Sequence, residues 1–174
     1  TREEARNALS GPLPSVCTPF HRDGSIDFTT LRNSIDFLVS TGSKALILTY
    51  GDSLFSLLTD QEVGEVTKVV AEHVAGRATV VAADREWWTG KVIEFAQYAR
   101  SVGVDILMVR PPDWAGSCTP NTMAEHYAAI AKHIPVMVVT NVFERRTTAF
   151  AVETIEILMN SCERFVAVKD AIHR

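Results

Sequence analysis

Short apolar runs alternate with helix-patterned stretches along the whole of this 174-residue chain. The runs are LPSVCTPF, ALIL, ATVVAA, DILMV, PVMVV and FVAV. Runs this brief and this continuously apolar predict strands buried on both faces. Between them the spacing turns helical. Phe28, Leu31, Ile35 and Leu38 predict a helix over 27–40, which Gly42 stops. Thr59 with Glu62 three residues on forms a capping box, opening a helix that runs to about Ala75. Further helices are predicted from Thr89 to just before Gly103, over 121–132 and over 151–160.

Strand followed by helix, repeated six times, means a parallel sheet covered by helices. An open doubly wound sheet and a (β/α)8 barrel both fit. The open nucleotide-binding sheet usually carries a Gly-rich first turn. Here that turn reads TPFHRDGSID, with no GxGxxG and no GxxxxGK[ST], which favours the barrel. Six units do not close an eight-stranded barrel, and such barrels take roughly 250 residues. The expectation is therefore an α/β TIM barrel of which residues 1–174 form a single domain of about the first six strand–helix units. About a hundred further residues would close it.

Several function classes drop out. Seventeen Lys and Arg against 21 Asp and Glu leave a net charge of −4, and the basic residues are scattered apart from Arg145–Arg146. No basic stripe exists to neutralise phosphates, so no nucleic-acid partner is expected. No apolar stretch approaches membrane-spanning length, so no membrane partner is expected. The start, TREEARNALSG, lacks the apolar core of a secretory signal and reads as a polar lead-in. Cys17, Cys118 and Cys162 are too dispersed for a disulfide framework or a zinc site, which suggests a reducing, cytoplasmic setting. His73, His126 and His133 fall on predicted helices without ligand spacing, and His21 follows the first strand, where a surface role is expected. No metal and no cofactor are called for.

The last strand, FVAV, runs straight into Lys169. Simple alternation places Phe165, Ala167 and Lys169 on one face, and Val166 and Val168 on the other. In a barrel Lys169 would point inward at the C-terminal rim, where barrel enzymes do their chemistry. A desolvated lysine has a lowered pKa, and its neutral amine can attack a ketone. A lysine that snorkels to the rim fits the spacing equally well.

Longer stretches decide between these readings. VCTPFHRDGSIDFTTLRNSIDFLVSTG, LTDQEVGEVTKVVAEHVAGRATVVAA, AQYARSVGVDILMVRPP, IPVMVVTNVFERRTTAFAVETIEIL and FVAVKDA follow one another in order. Together they resemble the dihydrodipicolinate synthase/N-acetylneuraminate lyase family, the pyruvate-type class I aldolases. The resemblance implies a (β/α)8 barrel in which Lys169 forms a Schiff base with a small-molecule 2-keto acid. It also implies a homo-oligomer, dimer or tetramer. Asp170, facing away by alternation, reads as structural.

The chain departs from the family at several positions. Where the family has a Gly-Thr-Thr-Gly-Glu type of loop holding the keto-acid carboxylate, this chain reads YGDSL. Gly51 and Asp52 stand in place of the threonines, and Ser53 keeps a hydroxyl. These three are the candidate carboxylate-binding residues, although Asp52 and Ser53 also suit a turn. Where the family has Tyr-Asn-Val-Pro and then an arginine, this chain reads TNVFER. Thr140 takes the place of the proton-relaying tyrosine. Asn141 matches, and Arg145 could hold a distal carboxylate in bidentate fashion. The tyrosine after the fourth strand is replaced by RPPDWAGSCTP, with Trp114. REWW adds Trp87 and Trp88, which suit a subunit contact. Tyr50 is the phenol nearest the rim.

The resemblance therefore implies a lyase, aldolase or dehydratase acting on a keto acid or keto sugar acid through an imine at Lys169, with Thr140 beside it. It argues against dihydrodipicolinate synthase itself. The alternative is a non-catalytic member that keeps the barrel for ligand binding or assembly.

Overall fold

A computed structural model describes residues 1–85, 87–110, 117–140 and 146–170. In chain order the elements are α1 (Arg2–Ala8), α2 (Phe28–Ser40), β1 (Ala45–Ile47), α3 (Asp60–Val74), β2 (Thr79–Ala83), α4 (Thr89–Ser101), β3 (Ile106–Val109), α5 (Pro120–Ala131), β4 (Val136–Val139), α6 (Thr148–Ser161) and β5 (Phe165–Lys169).

The predicted cap of α3 is present, and α2 carries one that the apolar spacing left unmarked. Asp27 accepts from the Thr30 backbone N–H at the start of α2. Thr59 and Glu62 complete a capping box at the start of α3. Each satisfies backbone donors that a helix start leaves without partners. At the end of α3, Ala75 adopts the left-handed conformation at φ 48° and ψ 43°. A side chain there costs about 1–2 kcal/mol, and glycine avoids the clash. Ala75 is exposed and loses no packing on truncation. Ala75→Gly should therefore stabilise the protein by about 1 kcal/mol, seen as a rise of roughly 2–4 °C in Tm by calorimetry.

All strands run parallel in the order β1-β2-β3-β4-β5, without reversal. Right-handed crossovers between successive neighbours put every connecting helix on the same side of the sheet. The helices accordingly pack in sequence, α2 on α3, α3 on α4, α4 on α5 and α5 on α6. The other face is set by the register. Ile47 pairs with Val81, Ala83 with Met108, Met108 with Met137, Met137 with Ala167, and Val139 with Lys169. Val81, Met108, Met137 and Val139 on this face are buried although the helices lie on the opposite side. The sheet buries them by curling on itself, which makes it an arc of a barrel.

Three expectations change. LPSVCTPF forms no regular strand; Ser15 makes a single parallel bridge to Ile47 outside β1. The start of the chain is not a plain lead-in but the helix α1, opened by a Thr1–Glu4 capping box. The Arg2 guanidinium donates to the backbone oxygens of Phe165, Leu158, Met159 and Cys162. It thus seals the end of α6 and the beginning of β5. Finally, the pairing slips between Val136 and Met137, so Phe165 is level with Val136 and Ala167 with Met137. This irregularity spends two residues of β5 on one of β4 and breaks simple alternation. Phe165 shares the helix-facing side with Val136, while Ala167 and Lys169 face the concave side.

Among the described residues no helix is long and apolar enough to cross a membrane.

Candidate active site

Lys169 ends β5, half-buried, on the concave face. It lines a cavity of about 470 Å³ together with Arg6, Leu9, Leu13, Ser15, Ile47 and Met137. Lys169 stands at the C-terminal end of its strand, where strand-to-helix loops supply side chains in barrels.

Thr140 follows β4 directly. Its hydroxyl donates to Asp170 Oδ1 at 2.8 Å and lies 3.3 Å from the Lys169 carbonyl oxygen. Thr140 therefore sits against the main chain of Lys169, and Asp170 holds it there. Asn141 and Arg145, the other two expected ligands of this loop, lie outside the described residues, as does Trp114.

The turn after β1 is stitched to the segment before α2. Ser53 is fully buried. Its hydroxyl donates to Val16 O and accepts from the Thr49 N–H, and its own carbonyl accepts from Thr18 Oγ1. With its single proton committed to Val16, Ser53 shapes the turn and has none to offer a ligand. Gly51 is exposed, and a Cβ there would meet nothing within 4 Å. Asp52 is exposed at the rim. Its N–H donates to Thr49 Oγ1 at 3.0 Å, and its Oδ2 accepts from Ser15 Oγ at 2.8 Å. Asp52 is thus joined by one hydrogen bond to a residue that lines the cavity of Lys169. Ser15 escaped the sequence reading. The signal was a polar residue inside an apolar run, but its partner lies 37 residues away.

A buried polar shelf braces the neighbouring strand ends. Asp84 Oδ1 accepts from the Arg110 N–H at 2.9 Å, tying the exit of β3 to that of β2. The Arg110 guanidinium lies 4.3 Å over the Tyr50 ring, a cation–π contact. Thr89 Oγ1 and His126 Nδ1 are 2.9 Å apart. Burial lowers the His126 pKa to about 4, against a smaller upward pull from its backbone bond with Arg110. Burial, reinforced by the charge of Asp84, pushes the Tyr127 phenol up.

After β2, Trp87 turns inward and packs edge-on against Phe95 at 5.1 Å. Asp60 receives hydrogen bonds from Lys91, Arg85 and Trp87. Burial works to raise its pKa, but Lys91 and then Arg85 hold it below the ordinary carboxylate value. Trp88 stays 63% exposed. Among the described residues no group of three or more His, Cys, Asp or Glu could hold a metal ion.

Known proteins share this fold. The 4-hydroxy-tetrahydrodipicolinate synthase of Methanococcus maripaludis is 35% identical over 167 residues, covering 94% of this chain and 56% of that protein. The crystal structure of dihydrodipicolinate synthase from Oceanobacillus iheyensis superposes with a TM-score of 0.84 at 25% identity, over 100% of this chain and 56% of that one. N-acetylneuraminate lyase from Mycoplasma synoviae shares the fold at a TM-score of 0.74 and 24% identity, over 93% of this chain and 54% of that one. The chain spans about half the length of the curated relatives it matches. The sequence profile of the dihydrodipicolinate synthetase family matches residues 8–174, and with its fold and the order of its strand ends the chain belongs to that family.

Proposed function

We propose that this chain carries the nucleophile of a Schiff-base lyase, an aldolase or dehydratase acting on a 2-keto acid or keto sugar acid. Lys169 attacks the ketone, and the resulting imine stores the electron pair while a C–C or C–O bond is made or broken. One observation carries the reading: an amine at the end of a parallel strand, on the concave face, lining a cavity of about 470 Å³. Thr140, packed against the Lys169 main chain, is the hydroxyl for the proton transfers at nitrogen that accompany imine formation. Gly51 and Asp52 form the rim that the substrate carboxylate approaches, and Asn141 and Arg145 are the further ligands proposed for the substrate. Further strands complete the barrel around this arc. The protein works as a homo-oligomer in the cytoplasm, and the exposed Trp88 suits a subunit contact.

The substrate is not that of dihydrodipicolinate synthesis. An anion at Asp52 and a threonine at 140 make a poor setting for pyruvate condensation by the tyrosine-relayed route. The test is borohydride reduction of the intact protein with a panel of keto acids and keto sugar acids, read by intact mass. One substrate mass added at Lys169 supports the proposal. No adduct with any member returns the chain to the non-catalytic reading.

The same experiment tests the rim. Asp52→Thr removes a like charge near the substrate carboxylate, a partly screened repulsion of about 1.4 kcal/mol. Half-maximal trapping with pyruvate should then need roughly tenfold less keto acid. An unchanged concentration dependence would make Asp52 a turn residue only.

A further inference from the structure

The geometry points to a second proton-transfer group in this site: Ser15, coupled to Asp52, takes and returns the proton at C3 of the substrate imine. The inference rests on the imine reading of Lys169 and adds the step that follows it. An iminium becomes a nucleophilic enamine only when a base removes a proton from the neighbouring carbon. Thr140 stands against the Lys169 backbone, with Asp170 on its hydroxyl, and is not among the residues lining the cavity.

Of the described residues that line the cavity, the polar side chains are those of Arg6, Ser15 and Lys169. Arginine is not deprotonated in proteins. The Lys169 nitrogen is consumed in the imine. Ser15 remains, and its hydroxyl already donates to Asp52 Oδ2 at 2.8 Å. Both partners are fixed in advance. Ile47 N donates to Pro14 O and Val16 N to Ile47 O, which hold Ser15 on the concave face. The Asp52 backbone is held by Thr49.

The step balances. Ser15 Oγ accepts the C3 proton while its own proton passes to Asp52 Oδ2. The C3–H electron pair becomes the C2=C3 bond, and the C=N pair returns to the Lys169 nitrogen. The products are a neutral enamine and a protonated Asp52, and the reverse path returns the proton. Serine alone is too weak a base for this, so Asp52, acting through Ser15, is essential to it.

The experiment places the intact protein in D₂O with pyruvate or 2-oxobutyrate. Exchange at C3 is followed by proton NMR, and borohydride adducts are measured in parallel. Ser15→Ala and Asp52→Asn should still form the Lys169 adduct, but lose exchange by roughly 10²–10⁴-fold. Ser15→Thr, which keeps a hydroxyl, should retain much of the rate. Asp52→Asn is nearly isosteric, so it reports even if Ser15→Ala folds poorly. Normal exchange in both variants, with the adduct intact, would overturn the dyad while leaving the imine reading in place. Loss of the adduct itself in both variants would also overturn it, making the pair a binding element. No adduct with the unaltered protein and either keto acid would sink the imine reading for these substrates, and the dyad with it.

Discussion

Lys169→Ala in the intact protein will abolish the borohydride adduct and lower turnover by roughly 10⁶, the scale seen when a nucleophile is removed. The substitution is expected to leave the fold intact. The Lys169 carbonyl near Thr140 and the pairing with Val139 belong to the backbone and survive truncation. Lys169→Arg is the informative companion. It keeps a cation at the rim but presents no amine able to lose its proton. If charge alone mattered, arginine would rescue; if nucleophilic attack matters, both variants stay unlabelled. An adduct that persists in Lys169→Ala would move the chemistry to another amine.

The second large effect concerns acid. His126 is buried and neutral, with a pKa of about 4 against an ordinary 6.5. An unfolded chain binds the proton more readily, so stability falls as pH drops through the interval between those values. Above pH 6.5 the His126 contribution is flat. By pH 4 the folded state has lost most of about 3 kcal/mol. Urea unfolding at pH 7.5 and at pH 5 should show a lower midpoint in acid. His126→Gln, which cannot titrate, should flatten that dependence. A slope unchanged in His126→Gln would place the acid sensitivity elsewhere. The consequence is local as well, because His126 meets Thr89 and the Arg110 backbone under the rim.

Local signals carried most of the fold. Thr59 and Glu62 act on each other across three residues, and their cap stands where the sequence put it. The apolar runs from ALIL onward became the strands β1 to β5, with ends within a residue or so of expectation. Failures came where a partner is distant. Whether Phe165 faces the helices or the cavity depends on how β5 slides against β4, which no pattern within FVAVK encodes. Ser53 looked available until its hydroxyl met Val16 O. Ser15 looked like strand filler until it met Asp52. The helix α1 is seven residues long, too short to show a period, and only its capping box announced it. The place of Lys169 at the end of its strand was legible because the apolar run FVAV leads straight into it.

The Arg2 clamp has a consequence for how the protein is made. Arg2 leaves the ribosome well ahead of its acceptor on β5, which lies 163 positions further on. At cellular synthesis rates of roughly 5–20 residues per second, α1 waits about 8–30 s for that partner. A seven-residue helix does not persist alone in water, so α1 stays unstructured through that interval. The contact that seats the Lys169 strand therefore waits until β5 has been made. The helices α2 to α6 are made before Lys169 is held in place.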